Sequence, residues 1–382
     1  MTSKVLMKGN EAIAEAAIQA GCRHYFGYPI TPQTEIAAYM SKRMPKLESG
    51  CFLQAESEIA AINMVIGASA AGKRAMTSSS SPGVALKSEG LSYLAGCDLP
   101  AVVVNIQRGG PGLGSIQPSQ ADYFMATRGG GHGDFHVIAL APSGVQEMYD
   151  FTCLAFDLAD KYRVTSMVLS DGILGQMMEP VAMTETPPVT YQKPWALTGT
   201  ENQRPPNIIN SLFMDPIKAD PAELEKTVLV RYARYDEIIA NETRFEELLT
   251  DDADIVVVAY GAAARIAKNA VHAARAEGLK VGLLRPITLW PFPKAPLLAL
   301  AERASAFVCV ELSMGQMVED LELAIRCKRP VHLCTRTGGM VVTPEEVLGK
   351  IKVAAGAASA ASSAGNARGA MYAEPPGNCV RG

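Results

Sequence analysis

An almost uninterrupted apolar run at residues 101–106 constrains the fold of this chain more than any other sequence feature. Five of its six residues are alanine, valine or isoleucine, and only Asn105 is polar. A strand that is apolar on both faces lies in the middle of a parallel sheet, because helices cover both sides of such a sheet. The run therefore predicts a strand inside an α/β layer fold.

Helical and strand patterns alternate along most of the chain. The first group contains expected helices at 10–20, 34–43, 57–72 and 145–162 and expected strands at 24–28, 51–54, 74–77, 101–106 and 165–170. The second group contains expected strands at 254–261, 280–284 and 306–310 and expected helices at 263–277 and 344–353. Because 382 residues are enough for two cores, we predict a larger α/β domain followed by a smaller one.

The segments outside these two groups have little periodicity. Prolines crowd residues 181–250, which we interpret as a connecting arm. Residues 354–382 are rich in alanine, serine and glycine, which is typical of a tail without a core of its own. The predicted boundaries are therefore 1–180 for the first domain, 181–250 for the arm, 251–353 for the second domain and 354–382 for the tail.

Composition argues against several classes of protein. Charged residues make up 19% of the chain and the net charge is -4, which does not suit a nucleic-acid-binding protein. We find no signal-peptide pattern and no run near the ~20 apolar residues of a membrane helix, so we expect a cytoplasmic protein without membrane contact. The eight cysteines are scattered without CxxC groups. We expect buried thiols in a reducing compartment, and neither zinc nor an iron-sulfur cluster.

Several motifs resemble nucleotide or metal sites but have an unsuitable context. Residues 67–74 nearly match a phosphate-binding loop, yet Arg74 replaces the required hydroxyl and the segment continues a helical pattern. The glycine-rich loops at 109–114 and 129–133 lack the spacing of a dinucleotide site. A metal site at the histidines of residues 132–136 is conceivable, but loop or core histidines are more common. We expect no metal ligands in this chain.

Polar side chains follow several expected strands at their carboxyl ends, where α/β enzymes place their sites. Two prolines surround Thr31, Glu58 begins a long helix, and Arg108 enters a glycine-rich loop. Residues 77–83 add a fourth loop of hydroxyls and backbone donors. Glu58 could merely complement the helix dipole. Arg108 could end its strand in solvent, or its guanidinium could clamp a carboxylate.

Taken together, these segments resemble the alpha-type subunit of 2-oxoacid:ferredoxin oxidoreductases, most closely the branched-chain (2-oxoisovalerate) type. The resemblance covers residues 5–350, and the motifs that carry it are residues 28–32, residues 55–61 with Gly67 nine positions after Glu58, residues 81–83, Arg108 after its strand, and residues 285–293. It implies that the first domain is a pyrimidine-binding thiamine diphosphate domain. The second domain is similar to the C-terminal domain of transketolase.

The resemblance also implies roles for individual residues. Glu58 matches the glutamate that hydrogen-bonds the ring nitrogen of the aminopyrimidine, and the spacing to Gly67 favours it over Glu56. Thr31 and Arg108 match the residues that hold the carboxylate of the 2-oxoacid. The remaining expected cofactor contacts are Pro29, Ile30, Ser80 and Ser81. The implied reaction is coenzyme-A-dependent oxidative decarboxylation of a 2-oxoacid.

Parts of such an enzyme are missing from this sequence. Thiamine enzymes hold the diphosphate through Mg²⁺ bound at a Gly-Asp-Gly turn, whereas this chain has only Ser170-Asp171-Gly172. We therefore expect a beta subunit that binds the magnesium diphosphate, a ferredoxin-like subunit with [4Fe-4S] clusters, and possibly a gamma subunit.

Branched-chain oxoacids are the favoured substrates, with 2-oxoglutarate and pyruvate as alternatives. A non-catalytic scaffold and a different thiamine enzyme are the other functions that the sequence leaves open.

Overall fold

The structure is a computed structural model that describes residues 4–184, 187–199 and 221–363, with side chains described as far as residue 357. The strands are β1 (Lys4–Lys8), β2 (His24–Gly27), β3 (Cys51–Gln54), β4 (Ala75–Ser79), β5 (Ala101–Gln107), β6 (Ile138–Leu140), β7 (Thr165–Asp171), β8 (Met178–Ala182), β9 (Phe245–Leu248), β10 (Ile255–Ala259), β11 (Val281–Pro286), β12 (Thr288–Trp290), β13 (Ala306–Glu311) and β14 (Val331–Thr335). The helices are α1 (Gly9–Gln19), α2 (Thr34–Arg43), α3 (Glu58–Ala70), α4 (Ser81–Leu86), α5 (Ser88–Gly96), α6 (Tyr123–Thr127), α7 (Val145–Tyr162), α8 (Gly172–Gln176), α9 (Pro221–Glu242), α10 (Gly261–Ala276), α11 (Lys294–Arg303), α12 (Met317–Ala324) and α13 (Pro344–Ser363).

The larger sheet has seven strands in the order β12-β6-β7-β5-β4-β2-β3. Strands β2 to β7 run parallel to their neighbours, and β12 at the edge is antiparallel to β6. The apolar run that predicted a central strand is β5, which lies between β7 and β4 and is buried at every position. That prediction is confirmed, because β5 is an interior strand and both of its faces are covered.

The smaller sheet has five strands in the order β14-β13-β10-β11-β9, and only β9 is antiparallel to its neighbour. Successive side chains of β10 point to opposite faces. Val256 and Val258 join the core of the larger sheet, whereas Ile255 and Val257 belong to a separate core beneath α10 and α13. The face of the second sheet that points toward the first domain therefore shares one continuous core with it.

Residues 285–293, which the sequence placed in the second domain, join the two sheets. Strand β11 in the smaller sheet is followed almost directly by β12 in the larger one. Arg285 at the end of β11 donates to both carboxylate oxygens of Glu147 on α7, at 2.9 and 2.7 Å, and to Glu246 on β9 at 2.9 Å. One buried guanidinium thus connects an element of the first domain to two strands of the second.

The expected arm contains regular structure that the sequence pattern did not predict. Helix α9 is 22 residues long, yet its buried positions include Arg231 and Glu242 beside Tyr235 and Ile238. Because two of these four positions carry charges, the hydrophobic periodicity that identifies a helix is weak. At the other end of the chain, α13 continues through Ser363 into the expected tail, and residues 364–382 lie outside the described part.

Other predictions concern whole segments. The near match to a phosphate-binding loop continues α3 as predicted, so residues 67–70 are helical. Over the described ranges, no helix is long and apolar enough to span a membrane. The same residues contain no group of three or more His, Cys, Asp or Glu side chains that could hold a metal ion. His136 instead stacks on Trp290, with ring centroids 4.5 Å apart.

Candidate active site

The four polar loops identified in the sequence meet at one edge of the larger sheet. They follow the carboxyl ends of β2, β3, β4 and β5, which are neighbours and run parallel. From β2 the chain passes to β3 on one side and then to β4 on the other, so the winding reverses at β2. Ligand sites of open α/β sheets lie outside the carboxyl ends of the strands at such a reversal.

Glu58 is the first residue of α3 and is buried at this edge. The preceding Ser57 caps the helix, its side chain accepting a hydrogen bond from the Ala60 amide. Glu58 is 6% exposed, and within the described residues its carboxylate accepts no hydrogen bond. Glu56, the alternative in the sequence, is exposed. A largely buried carboxylate without a donor has unused hydrogen-bonding capacity, which is available to a ligand.

Gly83 packs closely against this carboxylate. A Cβ atom at Gly83 would lie 2.5 Å from Oε1 of Glu58 and 2.1 Å from the hydroxyl of Ser79. Only glycine fits there without displacing one of those groups. The hydroxyls of Ser79 and Ser80 are buried and have no hydrogen-bond partner in the described part of the chain. Around Gly83 the structure therefore brings the Glu58 carboxylate close to the Ser79 hydroxyl, and no described residue forms a hydrogen bond with either group.

Arg108 and Thr31 are in direct contact at the same edge. The guanidinium donates from Nη1 to the carbonyl oxygen of Thr31 and from Nη2 to that of Leu113, both at 3.0 Å. Arg108 is 7% exposed, and its Nε has no partner among the described residues. Thr31 itself is exposed. The two residues expected to hold a carboxylate are thus brought together, with an N–H of the guanidinium still free.

Ser81 links the Arg108 region to the Glu58 region. Its hydroxyl accepts from the amide of Arg108 at 3.0 Å and donates to Asp122 at 2.5 Å. Asn105 also donates to Asp122, at 2.9 Å. Burial raises the pKa of the Asp122 carboxyl, although both hydrogen bonds act in the opposite direction. This network fixes the start of α4 against the end of β5.

Lys87 is a fully buried cation near the site that the sequence did not indicate. It lies between α4 and α5, and its ammonium donates to the carbonyl oxygen of Ser78 at 3.3 Å. Burial lowers the pKa of Lys87 to about 7, while attraction to Glu58 acts to raise it. Ser78 is held by Tyr25 and Gln33, whose atoms lie 2.7 and 2.6 Å from its hydroxyl oxygen.

The loop that follows Arg108 is supported by the second domain. A Cβ atom at Gly339 would lie 2.5 Å from the Cβ of Gln117, so the two loops approach closely. Gln120 donates to the carbonyl oxygen of Tyr260 and accepts from the amide of Leu312, both at 2.9 Å. The second domain therefore fixes the course of the loop that follows Arg108.

The structure groups the residues singled out in the sequence into two adjacent sets. Thr31, Arg108 and Ser81 form one set through direct hydrogen bonds. Glu58 and Ser80 lie at the starts of α3 and α4, which follow β3 and β4 at the same edge of the sheet. Of the other expected cofactor contacts, Pro29 is exposed and Ile30 is partly buried in the loop after β2. Sequence reasoning missed Lys87 and Asp122, because neither is part of a recognisable motif.

Two family models match most of the chain. The model described as "Pyruvate flavodoxin/ferredoxin oxidoreductase, thiamine diP-bdg" matches residues 15–229. The model described as "Pyruvate:ferredoxin oxidoreductase core domain II" matches residues 253–347.

Curated relatives match over nearly their full length. The ketoisovalerate oxidoreductase subunit VorB of Methanothermobacter marburgensis is 49% identical over 92% of this chain and 98% of the relative. The 2-oxoglutarate synthase subunit KorA of Methanothermobacter thermautotrophicus is 38% identical over 92% of this chain and 99% of the relative.

Two solved structures share the fold. The 2-oxoglutarate:ferredoxin oxidoreductase of Magnetococcus marinus, solved with 2-oxoglutarate, coenzyme A and succinyl-CoA bound, has a TM-score of 0.79 and 30% identity. That match covers 92% of this chain but only 65% of the longer Magnetococcus chain. A split-gene transketolase, an inactive beta4 tetramer, has a TM-score of 0.56 at 13% identity, which shows the fold alone. These matches confirm the predicted fold class, a pyrimidine-binding thiamine diphosphate domain plus a transketolase C-terminal-like domain.

Proposed function

Because the chain belongs to the 2-oxoacid:ferredoxin oxidoreductase family and is a subunit of such a multisubunit enzyme, we propose that it binds the aminopyrimidine half of thiamine diphosphate and the carboxylate of a 2-oxoacid. The family uses thiamine diphosphate and iron-sulfur clusters, with ferredoxin as the electron acceptor. We assign the pyrimidine to the site around Glu58, with Pro29, Ile30, Ser80 and Ser81 as further contacts. We assign the carboxylate of the oxoacid to Thr31 and Arg108.

The residues around Glu58 suit an aminopyrimidine. Such a ring has nitrogen atoms along its edge and an amino group, so it needs both a carboxylate and neutral donors or acceptors. Glu58 supplies the carboxylate, and the free hydroxyls of Ser79 and Ser80 supply the neutral groups. Gly83 lets the start of α4 pack directly against the carboxylate, because a Cβ there would lie 2.5 Å from Oε1 of Glu58.

Thiamine diphosphate, when bound, supplies an electron sink for the carbon–carbon bond that breaks in decarboxylation. Glu58 shares a proton with the ring nitrogen, and burial keeps water from competing for that hydrogen bond. Arg108 and Thr31 orient the oxoacid through its carboxylate, because a guanidinium pairs with a carboxylate in a fixed geometry. Ser81 and Asp122 hold Arg108 at the end of its strand.

We further infer that partner subunits supply the rest of the enzyme. The sequence has no Gly-Asp-Gly turn for the magnesium diphosphate, which we assign to a beta subunit. The iron-sulfur clusters are assigned to a ferredoxin-like subunit, and a gamma subunit is a further candidate. Together these subunits would let coenzyme A release the acyl group as acyl-CoA.

The proposed substrate is a branched-chain 2-oxoacid such as 2-oxoisovalerate. Identity is higher to the ketoisovalerate subunit than to the 2-oxoglutarate subunit, at 49% against 38%. The loop beside Arg108 carries two apolar side chains, Leu113 and Ile116, that are exposed in this chain. Neither residues 27–32 nor residues 109–118 contain a cation that could bind a second carboxylate. These features favour an aliphatic substrate over 2-oxoglutarate, with pyruvate as the other alternative.

The buried, unpaired carboxylate of Glu58 beside the Arg108–Thr31 contact carries this proposal. The test is Glu58→Gln in the assembled complex, assayed with coenzyme A, a viologen dye and a panel of 2-oxoacids. We expect intact assembly and a loss of turnover by about 100-fold or more, the range for removal of a positioned acid–base group. Retained turnover would refute the assigned role, and product formation without coenzyme A would indicate a different thiamine enzyme.

A further inference from the structure

The segment 119–124, which carries Asp122, is bound to the second domain by several hydrogen bonds. The side chain of Gln120 donates to the carbonyl oxygen of Tyr260 and accepts from the amide of Leu312, both at 2.9 Å. The main-chain amide of Gln120 also donates to the carbonyl oxygen of Leu312 at 2.9 Å. Gln120 is buried, so water does not compete for these bonds. The position of the segment is therefore determined by the second domain.

Gln316, in the loop before α12, binds the same segment on both sides of Asp122. Its side-chain nitrogen donates to the carbonyl oxygen of Ala121 at 2.7 Å, and its side-chain oxygen accepts from the amide of Phe124 at 2.8 Å. Ala121 lies one position before Asp122 and Phe124 two positions after it. A neutral amide has both the donor and the acceptor that these two main-chain groups require. One side chain of the second domain thus holds the backbone that carries Asp122.

Asp122 connects this backbone to Arg108 through direct contacts. The Asp122 carboxylate accepts from Ser81 at 2.5 Å and from Asn105 at 2.9 Å. The hydroxyl of Ser81 in turn accepts from the amide of Arg108 at 3.0 Å. Hydrogen bonds of 2.5–3.0 Å and a short piece of main chain therefore link Gln316 to Arg108.

We propose that Gln316 is a positioning residue for the carboxylate of the 2-oxoacid, acting through Asp122 and Ser81 on Arg108. This inference rests on the proposed function, because it takes Arg108 to be the residue that binds the carboxylate. A guanidinium pairs with a carboxylate in a fixed geometry, so a small displacement of Arg108 weakens the pair. Loss of the Gln316 hydrogen bonds should therefore weaken binding of the oxoacid and leave binding of the pyrimidine around Glu58 unchanged.

The experiment is a double-mutant cycle on Gln316→Met and Asp122→Ala in the assembled complex. The measured quantities are KM and kcat for the 2-oxoacid that the complex turns over best, and the affinity for thiamine diphosphate. Methionine is similar to glutamine in size but forms neither hydrogen bond. We expect each single variant to raise KM by about 5–10-fold, with kcat within about twofold and cofactor affinity unchanged. The double variant should have the KM of Asp122→Ala, because both changes interrupt the same path.

Two further variants separate positioning from a general loss of stability. Arg128→Met removes another contact between the end of α6 and α12, the ion pair with Asp320 at 3.0 Å, and should leave KM within about twofold of the wild type. Asp122→Asn keeps an oxygen that accepts from Ser81 and Asn105, so it should restore most of the oxoacid binding that Asp122→Ala loses.

The outcomes for Gln316 and for the proposed function are distinguishable. An unchanged KM in Gln316→Met would overturn the inference, as would additive increases of KM in the double variant. An equal increase of KM in Arg128→Met would also overturn it, because the cause would then be a loosened contact between the domains. An unchanged KM in Arg108→Lys would instead overturn the assignment of Arg108 to the carboxylate, on which the proposed function depends.

Discussion

At the scale of single residues, the site is held by main-chain groups as much as by side chains. Arg108 uses two of its N–H groups on the carbonyl oxygens of Thr31 and Leu113, and its own amide is bound by Ser81. The arginine is therefore oriented before any substrate arrives. Such preorganisation reduces the entropy that binding would otherwise cost.

The first prediction concerns the planar guanidinium of Arg108 and its several N–H donors. Lysine keeps the positive charge but cannot donate to two carbonyl oxygens and a carboxylate in a fixed plane. We expect Arg108→Lys to lower kcat/KM for the 2-oxoacid by about 100-fold, equivalent to about 2.7 kcal/mol, mostly through a higher KM. Steady-state kinetics of the assembled complex would measure this.

Arg329→Lys is the control for the Arg108 variant. Arg329 also donates to two main-chain carbonyl oxygens, those of Ala301 and Glu302, but it lies before β14 in the second domain. Its replacement should leave kcat/KM within about twofold of the wild type, since surface substitutions rarely act at a distance. If both variants lost activity equally, the loss would reflect stability and not recognition of the carboxylate.

Residues that belong to sequence motifs could be predicted, whereas a residue that only the folded chain brings near the site could not. Glu58, Thr31 and Arg108 follow strands, and that position is visible in the sequence. Lys87 lies 29 positions after Glu58 in the sequence, and the charge of Glu58 acts on it because α3 packs against α5. A single lysine between two short helices carries no pattern that would mark it as buried.

At the scale of elements, the short helix α8 after β7 is capped by a buried aspartate, and burial of that carboxylate costs free energy. The side chain of Asp171 caps α8 by accepting from the amides of Ile173 and Leu174, at 2.8 and 3.2 Å. Burial raises the pKa of Asp171 to about 6, although these backbone hydrogen bonds act to lower it. When the pKa of an acid is higher in the folded than in the unfolded state, the free energy of unfolding of the protein falls as the pH rises from the unfolded-state pKa to the folded-state pKa.

The second prediction follows from the raised pKa of Asp171. Asparagine keeps the capping oxygen but carries no charge, so Asp171→Asn should be more stable than the wild type by about 2–3 kcal/mol at pH 7. The difference in the free energy of unfolding between the variant and the wild type should be absent near pH 3.5, grow between about pH 4 and pH 6, and remain constant above pH 6. Denaturant unfolding at several pH values would measure it. A variant that is less stable at pH 7 would show that the carboxylate itself is required.

The connection between β11 and β12 gives the third prediction. Arg285 is 5% exposed and binds Glu147 and Glu246, so its removal leaves two carboxylates without their shared cation. We expect Arg285→Met to reduce the free energy of unfolding by about 2 kcal/mol. Arg265→Met is the control, because the Arg265–Glu179 pair is more exposed and should contribute below about 1 kcal/mol. Equal effects of the two variants would contradict the view that Arg285 joins the domains.

Helices and strands were predictable where the sequence has a clear apolar run or a clear helical spacing of apolar residues. The continuous apolar strands β5 and β10 and the helix α7 were found close to their observed bounds. Strand β12 was not, because three residues that cross from one sheet to the other contain no repeated pattern. The length of α9 was hidden by the charged residues that it buries.

At the scale of the whole molecule, our proposal is that the chain provides one side of a cofactor site shared with a partner subunit. The proposed pyrimidine site contains a carboxylate and hydroxyls without described partners, and the sequence has no Gly-Asp-Gly turn for a magnesium diphosphate. The family is built from several subunits, which agrees with a site divided between chains.

The fourth prediction concerns this division. The isolated chain should bind thiamine diphosphate at least about 100-fold more weakly than the assembled complex, because most of the cofactor's charge lies on the diphosphate. Isothermal titration calorimetry of the chain alone and of the complex, both with Mg²⁺, would measure the difference. Equal affinities would mean that the whole cofactor site lies within this chain.

The most direct measurement is the distance between the Glu58 carboxylate and the pyrimidine ring nitrogen in a structure of the assembled, cofactor-bound complex. We predict a hydrogen bond of about 2.6–3.0 Å, with Arg108 and Thr31 facing the reactive side of the cofactor. A Glu58 side chain turned toward solvent, with the coenzyme held by other residues, would contradict it.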